Sequence, residues 1–246
     1  MVSSGNTRIL VDIGLSLREL QKRLALSGVD PATIDAVLIT HEHGDHICGV
    51  ANFLKKYRCR IYLHRQTVSI IEKYVDIDRE LLETFDDAFQ IGDIDINYFA
   101  VPHDSHFCFG YAFENGDCKI ALATDLGHAN DDIIANMWGA QIVMLECNHD
   151  IVKLTNNPRY PAVLKRRIMG KRGHLSNHAS ADAIARLASL GTQQIVLAHL
   201  SEQNNTPTLA FNFVREFLLT HGIIEGEHIS IDIAEQHKPS RVYRVE

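Results

Sequence analysis

This sequence predicts an α/β fold in which two sheets pack together with helices on the outside, and three observations predict it. Short apolar runs of strand length alternate with stretches of helical spacing along the whole chain. An Asn115-Gly116 pair lies between two apolar runs, a strong hairpin signal, so part of the sheet structure is antiparallel. No Pro/Ser/Gly-rich linker, repeat or low-complexity tract divides the chain, so one domain is expected over residues 1–246.

The elements follow in order. "RILVDIG" (8–14) has strand character, and "LSLRELQKRLALSG" (15–28) is an amphipathic helix stopped by Gly28. "DAVLIT" (35–40) is a second strand, running directly into "HEHGDH" (41–46), where Gly44 is expected to permit a tight turn. "ICGVANFLKKY" (47–57) has helical apolar spacing, and "RIYLH" (60–64) is a further strand. "GDIDINYFAVP" (92–102) alternates as a half-buried strand does, and 107–125 holds the hairpin. "AQIVMLECN" (140–148) is a buried strand, 180–191 a helix, "QQIVLAHLS" (193–201) a strand and 208–222 a helix.

Composition narrows the class. Hydrophobic residues make up 46% and charged residues 22%, the balance of a water-soluble globular protein. No apolar run approaches the roughly 18 residues of a membrane span, and "MVSSGNTRILVDIG" lacks the pattern of a signal peptide. Five cysteines without a CxxC pair favour free thiols and a cytoplasmic setting. The formal net charge of −7 opposes bulk attraction to nucleic acid, although "LKRRIMGKRGH" (164–174) is locally basic.

The chemistry lies where the histidines and aspartates fall. His41, His43, Asp45 and His46 follow "DAVLIT"; His103 follows "YFAVP"; Asp125 follows "IALAT"; His199 lies within "IVLAHLS". Strand ends on one sheet edge converge, so four segments are expected to deliver seven ligands to one pocket. Imidazole and carboxylate donors suit zinc, manganese or iron, and no cysteine is placed for a thiolate site. Seven ligands exceed the need of one tetrahedral ion and divide between two divalent metal ions with one carboxylate bridging, a standard hydrolytic device.

With those residues in view, the pattern resembles the metallo-β-lactamase fold superfamily. The resemblance implies a four-layer αββα sandwich of two mixed sheets with helices on both outer faces. It also implies that His41, His43 and His103 hold one ion, that Asp45, His46 and His199 hold the second, and that Asp125 bridges them. Asp12, in "LVDIG", matches an aspartate that supports a ligating histidine without binding metal itself.

"GHLSNHASADAIARLASLGTQQIVLAHLS" (173–201) is similar to the phosphodiesterase branch typified by ribonuclease Z, in which the residue matching His174 assists proton transfer at the scissile phosphate. "SSGN" (3–6), "ECNHD" (146–150), "RYP" (159–161), "GHLSN" (173–177) and "LAHLSEQNN" (197–205) resemble the YycJ/WalJ proteins, which implies 5′-to-3′ exonuclease action on double-stranded DNA. On this reading Asp45, Asp125 and His174 are the catalytic set, acting with a metal-bridging hydroxide, and Ser4, Asn6, Asn148, His149 and Ser176 contact substrate phosphates. Lys165, Arg166, Arg167, Lys171 and Arg172 are expected to track the DNA backbone, with a solvated helix face as the alternative role of the run. Capping is the alternative role: Asn148 and His149 at one helix start, Ser176 or Asn177 at another. The partners expected are DNA and DNA-repair proteins, with no membrane and no obligate protein partner.

Rival readings share the metal ligands. A hydrolase of a thioester or lactam is opposed only by His174 and the YycJ-like segments. An RNA phosphodiesterase of the ribonuclease Z kind is opposed by the lack of a Gly/Pro-rich insertion for a tRNA-binding arm. The intact ligand set opposes a non-catalytic scaffold, and a flavoprotein oxidoreductase needs a second domain.

Overall fold

The computed structural model describes residues 1–245, and every strand anticipated above is a strand in it. The chain falls into two compact units. The first comprises Met1–Tyr98, Ser105–Phe109 and Phe113–Asn115, and the second comprises Phe99–Asp104, Gly110–Ala112 and Gly116–Glu246.

In the first unit a two-residue strand β1 (Val2–Ser3) pairs antiparallel with β2 (Arg8–Val11). Helix α1 (Leu17–Leu26) begins at Ser16, whose side chain accepts the Glu19 N–H, and it buries Leu20 and Leu24. Then come β3 (Ala36–Leu38), α2 (Gly44–Ile47), α3 (Val50–Tyr57), β4 (Arg60–His64), α4 (Val68–Ile71) and β5 (Leu82–Phe85). The strands form a sheet in the order β1-β2-β3-β4-β5, parallel from β2 onward. Its core includes Leu10, Val37, Phe53, Ile61, Leu63 and Ile71, each 5% exposed or less. Each such side chain contributes roughly 1.5–3 kcal/mol by leaving water.

The sequence expectation of one helix over 47–57 needs correction. Helix α2 ends at Ile47 and α3 starts at Val50, with Gly49 between them. The Gly49 N–H donates to the Ile13 carbonyl at 2.9 Å, and a Cβ there would lie 2.1 Å from the Leu15 carbonyl oxygen. Gly49 is therefore tied to the segment after β2 instead of to a continuing helix.

Strands β6 (Phe89–Ile91) and β7 (Ile94–Ala100) form an antiparallel hairpin, followed by β8 (Phe109–Asn115). The second unit adds β9 (Cys118–Ala123), α5 (Asp131–Met137), β10 (Ile142–Glu146), α6 (Ile151–Asn156), α7 (Ala162–Ile168), α8 (Asn177–Ser189), β11 (Gln194–Ala198), α9 (Pro207–Thr220) and β12 (Ser230–Ile233). The second sheet runs β12-β11-β10-β9-β8-β7-β6, with β9 to β12 parallel. Parallel strands covered on both faces carry continuous apolar runs, as "IVMLE" and "QIVLA" do. Among the described residues, no helix is long and apolar enough to cross a membrane.

Candidate metal centre

In the first unit, strand β3 stops at Leu38, and the chain turns at once into the histidine cluster. Asp12 anchors that turn. It has a left-handed backbone (φ 60°), and its amide donates to the Leu38 carbonyl at 2.8 Å. Its Oδ1 accepts the Thr40 amide at 2.8 Å, and its Oδ2 accepts the Thr40 hydroxyl at 2.7 Å. The same Oδ2 lies 2.8 Å from His46 Nδ1, while Thr40 Oγ1 lies 2.9 Å from His41 Nδ1. With the Thr40 proton given to Asp12, both Nδ1 atoms act as donors, which leaves the Nε2 lone pairs of His41 and His46 for a ligand.

The three imidazoles are crowded. Ring centres of His41 and His46 are 4.1 Å apart, and His41 Nε2 lies 3.0 Å from His43 Nδ1. Asp45 Oδ2 is 3.9 Å from His46 Nε2 on a side chain that is 69% exposed. This is a set of nitrogen and oxygen donors aimed at a common region, the arrangement a hard-to-borderline divalent ion accepts.

Gly44 corrects one expectation: its backbone is not left-handed, and an added Cβ would meet nothing within 4 Å. The glycine this turn requires is Gly14, where a Cβ would sit 1.5 Å from the Asp45 carbonyl oxygen. Glu42, unassigned by its spacing alone, is buried and accepts both the amide of His106 (2.9 Å) and its Nδ1 (2.7 Å). Burial raises the Glu42 pKa, but these hydrogen bonds outweigh it and hold the group below its usual value.

The second unit gathers His103, Asp125, Glu146, His174 and His199. One ligand-type atom each from Asp125, Glu146, His174 and His199 lies within 4.8 Å of the others. His103, 4% exposed, points Nδ1 at the Gly173 carbonyl (3.2 Å), and its Nε2 lies 3.7 Å from Asp125 Oδ1. Asp125 and His199 both have left-handed backbones, at φ 57° and 55°. Burial lowers the His103 pKa more than the Asp125 charge raises it, which favours the neutral, metal-binding imidazole.

Glu146 is the residue that the sequence reading missed. It is 0% exposed at the end of β10. Its Oε1 accepts His174 Nδ1 and His199 Nδ1, each at 2.8 Å, and the Asp125 amide at 3.3 Å. Its Oε2 accepts the amides of Leu126 (3.2 Å) and Leu175 (2.8 Å). Burial opposes its ionisation, but the hydrogen bonds from His174 and His199 outweigh burial, so its pKa is lowered. Burial would lower the His174 pKa, yet the Glu146 hydrogen bond and the Glu146 and Asp125 charges raise it overall. Glu146 thus fixes the tautomer of two rings at once and is a positioning carboxylate. The available signal was a single acid closing the apolar run "IVMLE", which needs internal donors if buried.

The expected substrate contacts are placed as follows. Ser4 Oγ donates to Asp93 Oδ1 (2.6 Å) and accepts the amides of Asn6 (3.2 Å) and Thr7 (3.0 Å), while Asn6 itself is exposed. Ser176 caps α8 by accepting the Ala179 amide at 3.2 Å. The cap of α6 is Asp150, which corrects the helix-cap alternative for Asn148 and His149. His149 is 1% exposed, with its pKa pushed down to about 4 by burial, and the Asn148 side chain donates to the His199 carbonyl at 2.9 Å. In the basic run, Arg167 pairs with Asp104, Arg172 Nε donates to the His103 carbonyl (2.7 Å) and Lys165 Nζ to the Thr155 carbonyl (2.6 Å). Arg166 and Lys171 are exposed.

A family model described as "Beta-lactamase superfamily domain" matches residues 7–200. The chain is 32% identical over 247 residues to exodeoxyribonuclease YycJ of Bacillus anthracis, covering 99% of this chain and 93% of that protein. It is 37% identical over 221 residues to exodeoxyribonuclease WalJ of Streptococcus pneumoniae, covering 85% and 82%. Among solved structures, the metallo-β-lactamase fold protein YhfI from Bacillus subtilis superposes with a TM-score of 0.69 at 18% identity, covering 95% of this chain and 87% of that one. That likeness shows the αββα fold expected from the motif pattern.

Proposed function

Because this chain belongs to the β-lactamase superfamily, among the relatives of YycJ and WalJ, and is therefore a metal-dependent hydrolase, we propose that it is a dinuclear phosphodiesterase acting 5′-to-3′ on double-stranded DNA. The observation that carries this reading is the His174–Glu146 pair: an imidazole held by a buried carboxylate at 2.8 Å, with its pKa raised, next to Asp125. A lactam or thioester hydrolase shares the ligands but has no need of this protonated imidazole beside them.

The donor chemistry of both units fits divalent ions. His41, His43 and His103 are the proposed ligands of one ion, Asp45, His46 and His199 those of the other, and Asp125 the shared one. Bound ions would supply Lewis-acid activation of water and neutralise charge on the phosphate. The protein's own part is then orientation and proton transfer. Asp12, Thr40, Gly173 and Glu146 hold the imidazoles in the tautomer that exposes a ligand nitrogen. His174, protonated, donates from Nε2 to the departing 3′-oxygen while Nδ1 stays on Glu146. Exposed Arg166 and Lys171 and the Ser4–Asn6 turn are the proposed phosphate contacts. The reading takes residues 1–246 as one hydrolase domain of a cytoplasmic enzyme that works alongside DNA-repair proteins.

The test is a substrate panel. Purified protein with manganese or zinc is incubated with 5′-phosphorylated duplex DNA, single-stranded DNA and RNA. Duplex DNA shortening from the 5′ end, lost in His41→Ala and Asp125→Ala, is the expected result. Equal degradation by wild type and both variants would overturn the nuclease reading. Preference for RNA would move it to an RNA phosphodiesterase.

A further inference from the structure

We propose that Asn148 is a positioning residue that holds the turn of His199 and does not contact substrate; only the turnover arm of the test below rests on the nuclease reading. Strand β11 ends at Ala198, and His199 immediately adopts a left-handed backbone with φ 55°. For a residue with a Cβ this conformation costs on the order of 1 kcal/mol, so it persists only where neighbours enforce it. Two neighbours do so from opposite ends of the residue. Glu146 Oε1 takes the ring Nδ1 at 2.8 Å, and Asn148 Nδ2 donates to the backbone carbonyl at 2.9 Å.

Asn148 is pinned in turn. Its amide donates to the Leu175 carbonyl at 3.0 Å, and its own carbonyl accepts the Ser201 amide at 2.8 Å. Asn205, 2% exposed, donates Nδ2 to the Asn148 carbonyl at 3.0 Å and to the Cys147 carbonyl at 2.9 Å. The Cys147 amide in turn donates to the Ala198 carbonyl at 2.9 Å. These bonds tie the 147–148 segment to the chain on both sides of His199. Ring and carbonyl are fixed by different residues, and together they fix the direction of Nε2. Asn148 is 8% exposed and spends its side-chain N–H inward, which is the arrangement of a brace.

The experiment compares metal-free wild type, Asn148→Ala and Asn148→Asp. Zinc affinity is measured by competition with a chromogenic chelator, folding by thermal unfolding, and kcat and KM on 5′-phosphorylated duplex DNA with metal restored. Losing such a support for a ligating histidine typically weakens metal binding by about 10–100-fold. The proposal expects that loss in zinc affinity for both variants, the Asp variant losing at least as much because a carboxylate cannot donate to the His199 carbonyl. It also expects a lower kcat with KM within about two-fold, since the altered group does not reach substrate.

A raised KM with unchanged zinc affinity overturns the proposal in favour of substrate contact. Unchanged zinc affinity and kinetics overturn it outright. If Asn148→Ala does not fold without metal, Asn205→Ser removes the Nδ2 bonds to the Cys147 and Asn148 carbonyls and to Asn177 while keeping the Asn148–His199 bond itself; a smaller loss in the same direction supports the proposal, and no loss overturns it. If the wild type lacks turnover on DNA, the functional reading fails while zinc affinity still decides the role of Asn148.

Discussion

A carboxylate with no solvent exposure costs several kcal/mol to ionise unless donors meet its oxygens, and Glu146 meets two imidazoles and three amides. Replacing it with glutamine preserves the shape but turns an –NH2 toward N–H donors on one side. We expect Glu146→Gln to lose about 3 kcal/mol in urea unfolding of the metal-free protein and to lower kcat by misplacing His174. A loss under about 0.5 kcal/mol would show that the carboxylate's charge is not what orders the site. The seven ligand candidates were legible in the sequence because each follows an apolar run. Glu146 was not, because a lone acid at a strand end carries no spacing signal. Nor was the inward turn of Asn148, since an asparagine after a strand fits a cap, a substrate contact or a brace equally well until its partner is seen.

At the scale of elements, three site residues share one device: a strand ends, and the next residues turn through a left-handed conformation. Asp12 follows β2, Asp125 follows β9 and His199 follows β11, with φ values of 60°, 57° and 55°. Such a turn brings a side chain out of the pleat and onto the sheet edge, so the strands set the position and the turn sets the aim. Strand runs were readable from their apolar residues; the turns were not, because aspartate and histidine do not announce a positive φ as glycine does. The single helix expected over 47–57 failed for a different reason: Gly49, at φ −93°, gives its N–H to the Ile13 carbonyl, a long-range contact that local helical spacing does not register. Backbone approach gives the prediction at this scale. Gly14→Ala, forcing a Cβ against the Asp45 carbonyl, is expected to cost about 2 kcal/mol and to lower the melting temperature. Gly44→Ala has open space and is expected to change stability by less than about 0.5 kcal/mol. Equal effects would mean that the contact between the post-β2 segment and α2 is not structural.

For the whole molecule, alternation of strand and helix signals was enough to predict two sheets, and the motif pattern supplied the four-layer order that the likeness to YhfI shows. With a net charge of −7, the proposed DNA engagement draws on local cations rather than on the global field. The proposed function depends on two ions working together on one phosphodiester. The most direct measurement is turnover of 5′-phosphorylated duplex DNA as manganese is titrated into metal-free protein, with bound metal per chain determined at each point. A two-ion centre gives no turnover without metal and a rise that reaches its plateau as the second ion binds. Full turnover with one ion per chain, or turnover by the metal-free protein, would contradict it.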